Sequence, residues 1–235
     1  MADSLIPVSA VILAGGENRR MKIPKAFLEI GGISIIERQA AALTGGTTDG
    51  WQGPIRGMSR RLAGLDAGES ECAFFNELIV VANDPAPYES LGFKALPDDP
   101  EFSGQKGPLI GVYTGLQAAR NQTIFVVACD MPFISGKLAR RLAQLKEGHD
   151  AVVPVIKRYP EPLFAVYSKT VLKYAESALR NGRLRLQELF KDLDVLFVDE
   201  SEAMEYDPEL LSFINVNTPE ELKVAEGLAK GRRHV

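Results

Sequence analysis

Four short strings in this 235-residue chain combine residue types suited to a charged phosphate ligand. The first is Leu13-Ala14-Gly15-Gly16-Glu17-Asn18-Arg19-Arg20-Met21-Lys22-Ile23-Pro24-Lys25. Adjacent glycines let a backbone approach a ligand closely and turn its N–H groups toward phosphate oxygens. Arg20 and Lys25 add positive charge that would hold a polyphosphate and offset the charge building on a departing pyrophosphate. The string is neither a Walker loop, which needs Gly-x4-Gly-Lys-Ser/Thr, nor the dinucleotide fingerprint Gly-x-Gly-x-x-Gly. Its Gly-Gly pair taken alone would equally suit a solvated basic turn.

The second string is Val126-Val127-Ala128-Cys129-Asp130-Met131-Pro132. An acid at the end of a buried strand is costly to hold unless it meets a cation. Asp130 is therefore the leading metal ligand, and Mg2+ is the ion that combines oxygen ligands with bound phosphates. The competing reading is an aspartate capping the next helical turn. Cys129 and Met131 read as core residues. The third string runs from Pro97-Asp98-Asp99 to Gly104-Gln105-Lys106-Gly107-Pro108-Leu109-Ile110-Gly111. It ends at a helix N-terminus, a site for an anion or a base edge, with Asp98 placed to hold a nucleoside hydroxyl or base. A turn with helix-capping acids fits the same residues. In the fourth, Phe213-Ile214-Asn215-Val216-Asn217-Thr218-Pro219-Glu220-Glu221-Leu222, Asn215 and Asn217 alternate around Val216 and share a face if extended. Paired carboxamides suit a heterocycle or a phosphate; the alternative is a turn asparagine beside an ordinary helix cap.

These strings need a scaffold, and the chain spells out one of alternating strands and helices. Apolar, β-branched runs predict strands at 8–13, 78–82, 93–96, 124–129, 150–156, 163–167 and 195–198. Helical spacing predicts helices at 34–43, 108–120, 135–146, 169–179 and 219–229. Ser34 caps the first of these, and Thr218 with Glu221 caps the last. Pro24 argues that the basic stretch before it is a loop. The alternation predicts a largely parallel sheet covered on both faces. The short gap between 150–156 and 163–167 suggests a hairpin, and so a mixed sheet. In such sheets ligands sit outside the carboxyl ends of the strands, where all four strings fall or can return.

The segment 44–75 is rich in Gly, Thr, Ser and Arg, with a weak helical pattern at 58–65 and the one tryptophan, Trp51. It is longer than ordinary connections and reads as a flexible surface insertion in a single domain spanning 1–235. A lid or an oligomer contact is the other reading. Net charge is −4, with 27 basic and 31 acidic residues. That balance, with no basic run, argues against sequence-independent nucleic-acid binding. Two cysteines, Cys72 and Cys129, make no disulfide framework and no zinc pattern, which suits a reducing compartment. The first ten residues lack the basic start and long apolar core of an export signal, and no run is long enough to span a bilayer. The expectation is a cytoplasmic protein without membrane or nucleic-acid partners.

The strings LAGG-x-N-x-R-M-x3-K, GPLIGVYTGL, CDMPF and NVNTPEEL, in that order and spanning most of the chain, resemble the molybdenum cofactor guanylyltransferases. Gly15-Gly16 resembles that family more than the related cytidylyltransferases, which have Ala-Gly there. The resemblance implies a Rossmann-like nucleotidyltransferase fold. It implies transfer of GMP from GTP to molybdenum-molybdopterin, giving molybdopterin guanine dinucleotide and pyrophosphate, with Mg2+. By the same resemblance Leu13, Ala14, Gly15, Gly16, Lys25, Asn83, Asp98 and Asp130 would bind GTP. Asp130 would bind the metal, and Lys25, Asp130 and Arg20 would act in catalysis. Arg185, Asn215 and Asn217 would face molybdopterin. Implied partners are the molybdenum-insertion protein and molybdoenzyme chaperones. The chain departs from the family pattern at Lys22, where glycine is usual, at Pro24, where aspartate is frequent, and in the length of the 44–75 insertion. The alternatives are a nucleotidyltransferase using CTP or a sugar phosphate, and a GTP-binding regulatory protein without catalysis.

Overall fold

The computed structural model describes residues 7–15, 23–44, 75–102 and 104–231. Gly16, Arg20, Lys22, Trp51, Cys72 and the body of the 44–75 insertion lie outside the described residues.

Strands follow the apolar runs. In chain order they are β1 (Val8–Leu13), β2 (Glu29–Ile30), β3 (Ile33–Ser34), β4 (Phe75–Val81), β5 (Lys94–Leu96), β6 (Thr123–Ala128), β7 (Ala151–Ile156), β8 (Tyr159–Pro160), β9 (Phe164–Ser168) and β10 (Val195–Val198). The helices are α1 (Ile35–Thr44), α2 (Ala86–Ser90), α3 (Pro108–Ala118), α4 (Gly136–Gln144), α5 (Leu172–Arg180), α6 (Leu186–Leu189), α7 (Glu200–Tyr206) and α8 (Pro219–Gly231). The main sheet has the order β10-β7-β9-β6-β1-β4-β5, with β8 on the end of β7. The strands β10, β7, β6, β1, β4 and β5 share one direction; β9 runs against its neighbours β6 and β7, and the short β8 runs against β7.

Every residue of β1 is buried, as expected of a strand with a neighbour on each side and helices on each face. Its side chains alternate between two cores. Ala10 and Ile12 join Ile36 and Leu43 of α1 and Leu138 and Leu142 of α4 on one face. Val11 and Leu13 join Leu109 and Leu116 of α3 and Ala175 and Leu179 of α5 on the other. α3 approaches β1 closely through two glycines one turn apart. A methyl group on Gly115 would lie 2.7 Å from Val11 Cγ1, and one on Gly111 would lie 3.0 Å from Leu13 Cδ2. A smaller third cluster sets α8 against the β2–β3 ribbon through Ile30, Ile35, Val216 and Ala225.

The expected mixed sheet is present, and β7 pairs antiparallel with β9, the gap between them holding a tight hairpin of β7 with β8. Lys157 and Arg158 form its turn at φ 50° and 73°, the left-handed conformation that two-residue hairpins require and that sequences usually advertise with Asn-Gly. Glu200 accepts from the Lys157 N–H at 2.6 Å. Ser34 caps α1 as expected, and Glu37 adds a capping box that was not foreseen: Ser34 N and Oγ donate to Glu37 Oε2 at 2.8 and 2.6 Å. The segment predicted as one helix from Lys169 opens as a 3-10 turn before α5 begins. The elements β2, β3, β8, α2, α6 and α7 have no counterpart in the sequence-based expectation.

Candidate active site at the carboxyl edge of the sheet

The central strands end level. Leu13 pairs with Val81 on one side and Ala128 on the other. Beyond that line Cys129 N–H donates to Leu13 O at 3.0 Å, and Ala14 N–H donates to Val81 O at 2.7 Å. The chain after β6 then turns sharply. Gln39, fully buried on α1, donates from Nε2 to Ala128 O at 2.7 Å and to Met131 O at 2.9 Å. This clamp fixes the backbone on both sides of Asp130 and leaves its carboxylate directed away from the core.

The chain returns to the same point much later. Val216 N–H donates to Asp130 O at 2.8 Å, which places Asn215 and Asn217 beside the aspartate. Asn217 is held from behind by the start of α8: Glu221 Oε2 accepts from Asn217 N at 2.5 Å and Thr218 N at 3.0 Å, and Glu221 N donates to Thr218 Oγ1 at 3.2 Å. The capping pair expected from the sequence therefore also orients a site residue.

Lys25 closes the group. Pro24 precedes a single 3-10 turn, Lys25–Phe27, and Lys25 Nζ reaches Asp130 Oδ2 at 3.2 Å and Asn217 Oδ1 at 2.5 Å. The Lys25 and Asp130 side chains are only 25% and 20% exposed, so water screens the pair weakly. Three of the strings singled out in the sequence thus meet at one ammonium group.

The rest of the site divides along the sheet. Toward β4 and β5, Gly15 stands beside Asn83: a methyl on Gly15 would lie 3.7 Å from Asn83 Oδ1. Asp98, just past β5, is half-buried, and that burial pushes its carboxyl above the usual carboxylate range. Asp99 N–H donates to Thr114 Oγ1 at 2.9 Å and ties this loop to α3. Toward β9, a cleft of about 310 Å3 is lined by Asp130, Glu161, Gln187, Asn215 and Asn217. A second cleft of about 410 Å3 shares Pro162, Leu163 and Gln187 with it and contains Lys106 and Arg185. Arg185 thus lies across that shared wall from the asparagines, exposed at the start of α6. The side chain of Leu13 is in the core, packed against Gly111, so it is the backbone of this residue that borders the site. Gly16 and Arg20 lie outside the described residues.

The donor set suits a metal that brings most of its own ligands. Among the described residues no group of three or more His, Cys, Asp and Glu side chains comes together. One carboxylate, with a carboxamide oxygen close by and open space in front, fits Mg2+, which keeps waters and binds substrate phosphates rather than a full protein cage. Sequence reasoning did not single out Gln39, Gln187 or Glu161. Glu161 had a usable signal: an acid between Pro160 and Pro162, in the gap separating two strand-like runs.

This arrangement sets an ammonium group, a carboxylate and paired carboxamides at the ends of parallel strands in an α/β sheet, as a nucleotide-handling enzyme requires. Residues 10–196 match the MobA-like NTP transferase domain, and the chain belongs to that nucleotidyltransferase family. A probable molybdenum cofactor guanylyltransferase of Methanosarcina mazei is 35% identical over 94% of this chain and 91% of its own length. The molybdenum cofactor guanylyltransferase of Desulfosudis oleivorans is 33% identical over 96% and 98%. Among solved structures, molybdopterin-guanine dinucleotide biosynthesis protein A from Archaeoglobus fulgidus superposes with a TM-score of 0.71 at 24% identity, covering 95% of this chain and all of that one. The 2-C-methyl-D-erythritol 4-phosphate cytidylyltransferase of Thermus thermophilus reaches 0.61 at 21% identity over 95% and 99%. Both share the fold. No helix among the described residues is long and apolar enough to cross a membrane.

Proposed function

We propose that this enzyme transfers GMP from GTP to the terminal phosphate of molybdenum-molybdopterin, releasing pyrophosphate and forming the guanine dinucleotide cofactor. The observation that favours this reading is the Lys25 ammonium held between Asp130 and Asn217. It joins the strand-end loop on the nucleotide side to the asparagine-lined cleft on the acceptor side. The strong similarity to relatives named as molybdenum cofactor guanylyltransferases supports the same substrates.

The acceptor phosphate oxygen bonds to the α-phosphorus of GTP, and the α–β bridging bond breaks with its electrons on pyrophosphate. The attacking oxygen is already anionic, so no strong general base is required. Catalysis is then positioning and charge stabilisation. Lys25 and Arg20 offset charge on the transferring and leaving phosphates. Gly15 and Gly16 offer backbone N–H groups, with Leu13 and Ala14 bordering them by their backbone, and Asn83 and Asp98 hold the nucleoside. Asn215 and Asn217 orient the acceptor phosphate, and Arg185 meets an anionic part of the acceptor in the neighbouring cleft. Asp130 would hold Mg2+, which when bound supplies Lewis-acid polarisation of phosphate oxygens. One domain with an insertion at 44–75, a cytoplasmic location, and delivery through a molybdenum-insertion protein and molybdoenzyme chaperones complete the proposal.

The test is pyrophosphate release with each of the four nucleoside triphosphates, with Mg2+, with and without molybdopterin. Release with GTP and molybdopterin together is expected. Release with CTP would reassign the nucleotide, and GTP binding without release would favour a regulatory role.

A further inference from the structure

Strand β9 runs against β6, so its first residues lie at the edge where β6 ends; Phe164 pairs with Val127. The segment leading into β9 therefore opens onto the cleft beside Asp130, and Glu161 sits in it. Its backbone is firmly placed. Its N–H donates to Pro154 O at 2.9 Å, its carbonyl accepts from Phe164 N at 3.1 Å, and prolines on both sides restrict the chain. The side chain is half-buried, and no side chain among the described residues hydrogen-bonds or ion-pairs with it. Burial alone raises its carboxyl above the ordinary glutamate value.

A carboxylate removed from water without a partner is unfavourable unless a ligand supplies one. Lys25 is already engaged, since it faces Asp130 and Asn217, and Arg185 lies in the adjoining cleft without an ion pair to Glu161. Glu161 is also not part of a metal cage among the described residues. What two carboxylate oxygens match best is a pair of parallel N–H donors. A 2-amino-4-oxopyrimidine ring has that edge, with its ring N–H and amino N–H side by side. Both substrates of the proposed reaction contain it, GTP in guanine and the acceptor in its pterin. Position in the sheet separates them. Gly15, Asn83 and Asp98 follow β1, β4 and β5, whereas Glu161 lies on the other side of β6, against Asn215 and Asn217.

We propose that Glu161 is a specificity-determining residue that binds the aminopyrimidinone edge of the pterin through both carboxylate oxygens. The inference rests on the acceptor proposed above. In Glu161→Gln one acceptor oxygen becomes an amide donor facing a donor, with little change in shape. The KM for molybdopterin should rise about ten- to a hundredfold, while the Kd for GTP and the kcat at saturating acceptor stay within about threefold of the wild type. Free pterin should inhibit the wild type better than lumazine, its 2-oxo analogue, and the Gln variant should lose that preference. Glu161→Asp, which keeps the carboxylate, should retain the preference at reduced affinity. A wild type that turns over while Glu161→Gln leaves the acceptor KM unchanged would overturn the inference and leave the reaction standing. A raised GTP Kd with unchanged acceptor KM would also overturn it, by moving the contact to guanine. A wild type with no turnover on GTP and molybdopterin would remove the reaction, and the inference with it.

Discussion

Replacing Lys25 by alanine tests the centre of the site. In the native arrangement Nζ lies 3.2 Å from Asp130 Oδ2 and 2.5 Å from Asn217 Oδ1. At that separation a pair of unit charges attracts by roughly 5 kcal/mol with an effective dielectric constant of about 20. Desolvation and the remaining water contact reduce the net coupling to about 1–3 kcal/mol. The kinetic effect should be larger than this ground-state coupling, because the lysine also faces charge that grows during transfer. Loss of one preorganised donor of this kind lowers kcat by about 10²–10³. Lys25→Ala should therefore reduce GTP-dependent pyrophosphate release by that factor, with the circular dichroism spectrum unchanged. Lys25→Arg should recover little, because a planar fork does not replace a compact charge between two oxygens. A cycle with Asp130→Ala should be strongly non-additive, since each single change disables the same constellation. Turnover of Lys25→Ala within about threefold of the wild type, or additive effects in the cycle, would refute this account.

Asn217→Ala should lower kcat about tenfold while leaving GTP affinity near the wild-type value, measured by single-turnover kinetics and calorimetric titration; the capping contacts of Glu221 to the backbone remain available to hold the fold. Asp98→Asn should stabilise the ligand-free protein at neutral pH. Burial raises the folded-state pKa of Asp98, so wild-type stability declines as pH climbs from the unfolded carboxylate value of about 3.9 through the higher folded value. The gain in the variant should therefore vanish below about pH 4 in thermal melts, while GTP affinity falls. Gly115→Ala should destabilise the protein by roughly 1–3 kcal/mol, because the new methyl meets the stiff, β-branched Val11 of a central strand at 2.7 Å. Chemical denaturation would measure this, and Gly111→Ala should cost less because it meets the end of the more flexible Leu13.

The central strands were legible because β1, β6 and the 78–81 half of β4 are largely apolar, and burial on both faces demands that composition; the start of β4 was missed because Asn76 and Glu77 interrupt its pattern. Candidate site residues were legible where a special residue follows such a run, as Asp130 follows β6. Other parts were hidden for physical reasons. The β7–β8 turn uses Lys157 and Arg158 in a conformation normally signalled by glycine or asparagine. Helix α7 is mostly polar and held by its cap, Asp199, which accepts from Glu202 N at 2.9 Å, so it offers no clear apolar period. The contact of Lys25 with Asn217 depends on the Val216–Asp130 bond, a tertiary pairing that no local pattern encodes. Glu161 escaped because its meaning comes from the reversed direction of β9, which places a loop on the catalytic edge.

That long-range pairing has a consequence for synthesis. Lys25 and Asn217 are 192 positions apart, and chains emerge from the ribosome at roughly 5–20 residues per second, N-terminal part first. The strand-end loop and Asp130 are thus made well before the segment that completes the acceptor side. A ribosome-bound intermediate can present Lys25 and Asp130, the groups proposed to meet phosphate, while still lacking Asn215 and Asn217, and Asp130 O has no Val216 N–H to receive until that segment docks. Final assembly of the catalytic constellation is therefore tied to the last stage of chain folding, so that a truncated or stalled product lacking this segment is expected to lack the complete transfer site.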